Sequence, residues 1–150
     1  MYTRIMAAID DSFATSKVLD TSIEMAKLYG AKLAICHALD VTLFAQREAA
    51  IMLSSTVGKV ESNLRDSARE FLDKAVAVAQ AAGVEVEVRL VDSELDGEAE
   101  MLARAACEWK ADLLVVGSHG RRGVERFFVG SVAERLVSRV KTSLLLVRGE

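Results

Sequence analysis

Residues 112–135 constrain this chain more than any other stretch. They open with a continuous apolar run, Leu113, Leu114, Val115 and Val116, whose composition is that of a strand buried on both faces. Glycines follow at 117, 120 and 123. Gly130 and Ser131 then open an amphipathic pattern that puts Val132, Leu136, Val137 and Val140 on one side. A buried strand, a glycine-bearing loop and a helix start, in that order, suit an anion. Glycine lets the backbone approach closely, and the unpaired N–H groups of a helix's first turn point at the charge. Ser131 is placed to cap the helix or to donate to an oxygen. Arg121, Arg122 and Arg126 bring positive charge to the same loop. No Gly-Lys-Ser/Thr closes the loop, so it is not a Walker A loop, and the dinucleotide fingerprint is absent as well.

The rest of the chain supplies matching units. Residues 5–9 form an apolar run ending at Asp10-Asp11-Ser12, whose side chains suit a helix start. A helix is expected from there to Tyr29, carrying Val18, Leu19, Ser22, Ile23, Ala26 and Leu28 near a period of 3.6 and closed by Gly30. Residues 33–39 give a second strand, parallel to the first. Residues 40–58 show no clean period and read as a mobile or partly helical insertion; 42–57 are expected to fold over the site or against a second subunit, outside the core. A helix over 59–82 carries Val60, Leu64, Ala68, Phe71, Leu72, Ala75 and Ala79 in one stripe and ends at Gly83. Residues 84–91 alternate apolar and polar, the pattern of an edge strand with one wet face. A helix follows over 96–109, then the central stretch, then a last strand over 144–147. Five strands alternating with four helices argue an α/β fold, an open five-stranded parallel sheet with helices on both faces. In such sheets ligands bind beyond the carboxyl ends of the strands, where the strand order reverses.

The spacing Gly117-x2-Gly120-x9-Gly130-Ser131 resembles the nucleotide-binding signature of the universal stress protein family, and a looser resemblance runs over nearly the whole chain. That resemblance implies a single domain, strand order 3-2-1-4-5, and a site between strands one and four. By position it implies that Ala8, Asp10 and Ser12 lie near the adenosine and Ala38 near the base. Gly117, Ser118, His119, Gly120, Arg121 and Arg122 match the ribose and phosphate loop. Gly130, Ser131 and Val132 match the phosphate-holding helix start. ATP is the implied ligand, with Mg²⁺ or Mn²⁺ carried on its phosphates. A homodimer is the implied assembly, through the last strand, Ser143, Leu144, Leu145, Leu146 and Val147. Two positions depart from the family pattern. Asp11 stands where glycine is usual and adds a carboxylate beside the phosphates, and Ser143 stands where proline is usual in a chain that has no proline at all.

Several residues keep two readings. Asp10 serves as the cap of the first helix, as a nucleotide contact, or as both. His119 could act in catalysis, imidazole being the side chain most used for proton transfer, but no nucleophile or orienting carboxylate is evident beside it, and a phosphate contact is the simpler role. His37 reads as a satisfied core or rim histidine, and Trp109 as a cover for the core. The functional alternatives are an ATP-binding regulatory protein of the stress response with little or no hydrolysis, a slow ATP-hydrolysing or phosphoryl-transfer enzyme, and an interaction protein using the fold without nucleotide. The intact signature and the lack of a fixed general base favour the first.

Composition narrows the field further. With 150 residues, 51% of them apolar, the chain can bury a sizeable core. A net charge of −3 argues against nucleic acid as a partner, and no apolar run is long enough to make the membrane one. The amino-terminal residues read as a strand without the parts of a signal peptide. Cys36 and Cys107 have no paired spacing and read as buried free thiols, so the expected location is cytoplasmic. Two cysteines and two histidines far apart offer no protein metal site.

Overall fold

The computed structural model describes residues 1–39, 57–93, 95–119 and 129–149, with side chains from residue 63 onward in the second helix. Its elements run β1 (Arg4–Ala8), α1 (Thr15–Tyr29), β2 (Lys32–Leu39), α2 (Val57–Ala81), β3 (Val86–Asp92), α3 (Glu98–Glu108), β4 (Leu113–Gly117), α4 (Ser131–Arg139) and β5 (Ser143–Val147). The strands form one sheet in the order β3-β2-β1-β4-β5. Every neighbouring pair is parallel, with Ile5 set against Leu33 on one side and Leu113 on the other. The expected order and the switch between β1 and β4 are therefore both present.

Side chains alternate across a pleated sheet, so each strand feeds two cores. Ile5, Ala7, Ile9, Leu33, Ile35, Leu113 and Val115 point to one face and pack with Val18, Leu19, Ile23 and Ala26 of α1 and Leu72, Ala75 and Ala79 of α2. Met6, Ala34, Cys36, Ala38, Leu114 and Val116 point to the other, against Ala99, Met101, Leu102, Ala105 and Ala106 of α3, Trp109, and Ala133 and Leu136 of α4. The central strands are covered on both sides, which explains their unbroken apolar runs.

Helix ends follow the expected chemistry in two places. Gly30 and Gly83 adopt positive φ, 62° and 80°. Beyond them the N–H groups of Ala31 and Val84 reach back to the carbonyls of Ala26 and Ala79. A third helix ends the same way with Lys110 at φ 56° and Ala111 N–H on Ala106 O at 2.8 Å.

Five expectations need correction. Leu28, placed on the apolar stripe of the first helix, is exposed. The first helix starts at Thr15, several residues after Asp10, and its N-cap is Ala14 with no side-chain cap bond. In α4 the N-cap is Gly130, so Ser131 is the first helical residue and does not cap. Val137 is exposed, and Ala133 takes its place on the buried stripe with Leu136, because one residue after Leu136 the helix has turned by about 100°. Cys107 is exposed on α3, whereas Cys36 is buried in β2 and both are free. Burial pushes the Cys36 thiol up to about 12, with Arg89 drawing it part of the way down. The 84–91 pattern does form an edge strand, although Val88 is exposed along with its polar neighbours.

Candidate functional site at the carboxyl ends of β1 and β4

The first wall of the site is the turn that leaves β1. Ile9 extends the strand by one residue, its N–H bonded to Cys36 O at 2.9 Å. Its carbonyl accepts from Nδ1 of His37, at 2.8 Å; since a carbonyl only accepts, that nitrogen carries the proton. Asp10 then turns the chain. Its Oδ1 accepts the Ser12 N–H at 2.9 Å, which makes an Asx turn in place of the helix cap expected from sequence. Thr15 closes the turn from the other side: its hydroxyl receives the Asp10 N–H at 3.2 Å and bonds the Asp10 carbonyl. Asp10 and Ser12 are half-buried at the rim, and Phe13 beyond them is exposed.

The second wall leaves β4. Gly117 sits in a tight place, since a Cβ there would lie 3.2 Å from Ala14 Cβ and 3.2 Å from the His119 carbonyl oxygen. This contact seats the end of β4 directly against the start of α1. Ser118 N–H reaches Val147 O at 2.8 Å, and Gly130 N–H reaches Ser118 O at 2.6 Å. The second bond carries the start of α4 back to the end of β4. The Ser118 hydroxyl, buried, meets His119 Nδ1 at 3.0 Å.

The start of α4 completes the arrangement. Gly130 is extended, with φ −61° and ψ 154°, and brings no side-chain cap. The first helical bond at this end runs from Glu134 N–H to Gly130 O at 2.9 Å. The N–H groups of Ser131, Val132 and Ala133 therefore precede the helical ladder, as in any first turn. Their dipoles favour an anion.

Asp10, Ser12, Gly117, Ser118, His119, Gly130, Ser131 and Val132 thus come from three separate stretches to one end of the sheet. Ala8 ends β1 beside them, half-buried. Ala38 lies on the adjoining strand, but its methyl packs into the core under α3 and α4. Gly120, Arg121, Arg122 and Arg126, and residues 42–56 of the expected insertion at 42–57, lie outside the described residues, and residue 57 already belongs to α2. Thr15 was not singled out from sequence; the available signal was a hydroxyl five residues beyond an Asp that ends an apolar run.

The sequence profile of the Universal stress protein family matches residues 1–148. The chain belongs to the universal stress protein family. A putative universal stress protein from Staphylococcus aureus (strain USA300) is 31% identical over 151 residues, covering 99% of this chain and 86% of the relative. Among solved structures, a universal stress protein family member from Burkholderia pseudomallei is 30% identical, with a TM-score of 0.75 and coverage of 97% of this chain and 96% of that one. A universal stress protein solved in complex with cAMP is 26% identical, with a TM-score of 0.66, covering 99% of this chain and 98% of that one. This stress protein has, among its described residues, no helix long and apolar enough to cross a membrane.

Proposed function

We propose that this stress protein binds an adenine nucleotide, ATP in the first place, across the ends of β1 and β4, and hydrolyses it slowly or not at all. The observation that carries the reading is the meeting of Asp10, the side-chain-free Gly117 and the uncapped start of α4 at the point where strand order reverses. In open α/β sheets ligands bind at that point, beyond the carboxyl ends of the strands. The relative solved with cAMP supports an adenine nucleotide as the ligand class. The glycine that ends β4 seats that strand close against α1, and the first-turn N–H groups of α4 fit phosphate oxygens. Ser118 and Ser131 add hydroxyl donors. Among the described residues no three His, Cys, Asp or Glu side chains group as a metal cage. In this reading Mg²⁺ or Mn²⁺ rides on the phosphates of the nucleotide.

Slow turnover follows from the kind of donor gathered here. These groups grip phosphates in the ground state, and uniform grip does not raise a catalytic rate. Fast phosphoryl transfer needs a positioned nucleophile and charge stabilisation aimed at the transition state. The same reading includes a cytoplasmic, homodimeric protein. Two free thiols fit a reducing compartment. The partly covered Leu144, Leu145 and Leu146 on the edge strand β5 fit pairing with a second copy. Monomer by light scattering at micromolar concentration, unchanged by Leu145→Lys, would remove the dimer.

The test of the function is calorimetric titration with ATP and Mg²⁺ after bound ligand is stripped, beside a phosphate-release assay. Wild type should give heat and little phosphate. Gly130→Val should lose binding while staying folded, since the backbone angles at Gly130 are open to any residue. Ser131→Ala should weaken binding by about 1.5–3 kcal/mol at most. No heat from wild type refutes the reading, and several turnovers per second would make the protein an enzyme.

A further inference from the structure

His37 is the one histidine in the described chain that lies inside the fold, 3% exposed on β2. Its ring meets Phe71 of α2 edge-on, with centroids 5.5 Å apart. The stripe of β2 residues around it is apolar, and Cys36 and Ala38 on either side belong to the core. A histidine here costs desolvation that a leucine would not. What it offers in return is Nδ1–H, placed 2.8 Å from Ile9 O.

That carbonyl belongs to the peptide unit whose N–H is Asp10's. The unit is held at both ends: His37 takes the carbonyl, and the Thr15 hydroxyl takes the N–H at 3.2 Å. A peptide is a rigid plane, so fixing both groups fixes its rotation. The Asp10 Cα follows directly, and with it the direction of the carboxylate that accepts from Ser12. The register of β1 against β2 ends at Ala8 and Cys36, followed by the single bond from Ile9 N–H to Cys36 O. Past that point the turn is held by side chains, and the deepest of these is His37.

We propose that His37 is a positioning residue for the nucleotide site, acting through the Ile9–Asp10 peptide to set the Asp10 turn. The inference rests on the nucleotide reading above for its effect on binding, but its effect on the turn stands apart from that reading. The chemistry required is specific: a donor on the atom next to Cγ. Asparagine carries an N–H there, on Nδ2, whereas glutamine carries its amide one bond further out and leucine carries no donor.

The experiment compares wild type with His37→Leu, His37→Asn and His37→Gln. ATP affinity is read by calorimetry, and amide exchange of Asp10 and Ser12 is read against Leu114, Val115 and Val116 as the internal reference. His37→Leu should bind about tenfold more weakly and speed exchange at Asp10 and Ser12 by a similar factor, one buried donor being worth about that much. His37→Asn should return both towards wild type, and His37→Gln should not. If His37→Leu does not fold, the Asn and Gln variants decide. Equal behaviour of Asn and Gln, or unchanged Asp10 and Ser12 exchange in all folded variants, overturns the proposal. If wild type itself takes no nucleotide, the functional reading falls, and the exchange comparison still decides the positioning role.

Discussion

At the end of the sheet where the strands begin, side chains do the joining. Asp112 accepts the Thr3 N–H at 2.8 Å, the Thr3 hydroxyl at 2.7 Å and the Arg4 N–H at 2.9 Å, which ties the start of β1 to the start of β4. Arg4 lies over the Trp109 ring at 4.1 Å and donates to the Trp109 carbonyl at 2.8 Å. Trp109, 2% exposed, passes its indole N–H to Glu87 on β3 at 3.0 Å. At the opposite end, where β1 and β4 finish, main-chain bonds link separate stretches, Ser118 to Val147, Gly130 to Ser118 and Ile9 to Cys36, while the side chains of Asp10, Thr15 and His37 hold the turn after β1 rather than joining the two strands. The N-cap of α4 there is Gly130, which brings no side chain. One end ties its strands together through Asp112, Arg4 and Trp109; the other carries the first-turn N–H groups of α4, which in the proposed function face the ligand. The same parallel sheet builds both, so the division of labour lies in a few residues at each end and not in the fold.

The comparison can be broken most forcefully at Trp109. Trp109→Ala empties a fully buried site and should cost about 3–5 kcal/mol in urea unfolding. In the folded protein its nucleotide affinity should stay near that of wild type, and a matching loss of affinity would mean the two ends are not separate. At the other end, Gly117→Ala pushes a methyl group against Ala14 and the His119 carbonyl. It should cost about 1–3 kcal/mol of stability and lower affinity as well, since Gly117 and His119 belong to the proposed site.

Asp112→Asn sharpens the contrast with a smaller effect, about 1 kcal/mol for a partly solvated set of charged bonds. Partial burial raises the Asp112 carboxyl, but the Thr3 hydroxyl and the N–H groups of Arg4 and Thr3 outweigh it and hold the carboxyl below its ordinary 3.8. A depressed folded value means that the stabilisation is present above 3.8 and is lost as pH falls through the folded value. The acid limb of a stability–pH curve should therefore flatten in Asp112→Asn. Smallest is Lys110→Gly. Lys110 holds a left-handed angle that costs a non-glycine residue about 1 kcal/mol or more. Glycine's extra freedom in the unfolded chain returns roughly 0.5–1 kcal/mol of that, so thermal unfolding should show a gain of a few tenths, with binding unchanged.

What the sequence made legible divides along physical lines. Apolar runs and helix stripes are read through burial, and burial is what the two cores reward, so strands, helices and the Gly30 and Gly83 stops were all visible in advance. The strand order was not in any countable pattern and came with the family resemblance. Side-chain roles at element ends were harder, because several donors compete for each acceptor. Asp10 has the right type for a helix cap, yet it turns the chain several residues early because Ser12 and Thr15 offer nearer partners. Val137 looked like core because valine is apolar, but Leu136 and Ala133 already fill that side of α4. Cys107 was assigned to the interior on residue type alone and lies on the outer face of α3. The role of Asp112 carried no sequence signal, since its partners are more than 100 residues away.

The most direct test of the account is an amide-resolved NMR titration of the stripped protein with ATP and Mg²⁺. The account predicts shifts at Asp10, Ser12, Gly117, Ser118, His119, Gly130, Ser131 and Val132, with Thr3, Arg4, Trp109 and Asp112 unmoved. Shifts centred on Thr3, Arg4, Trp109 and Asp112, or no saturable shifts anywhere, would contradict it.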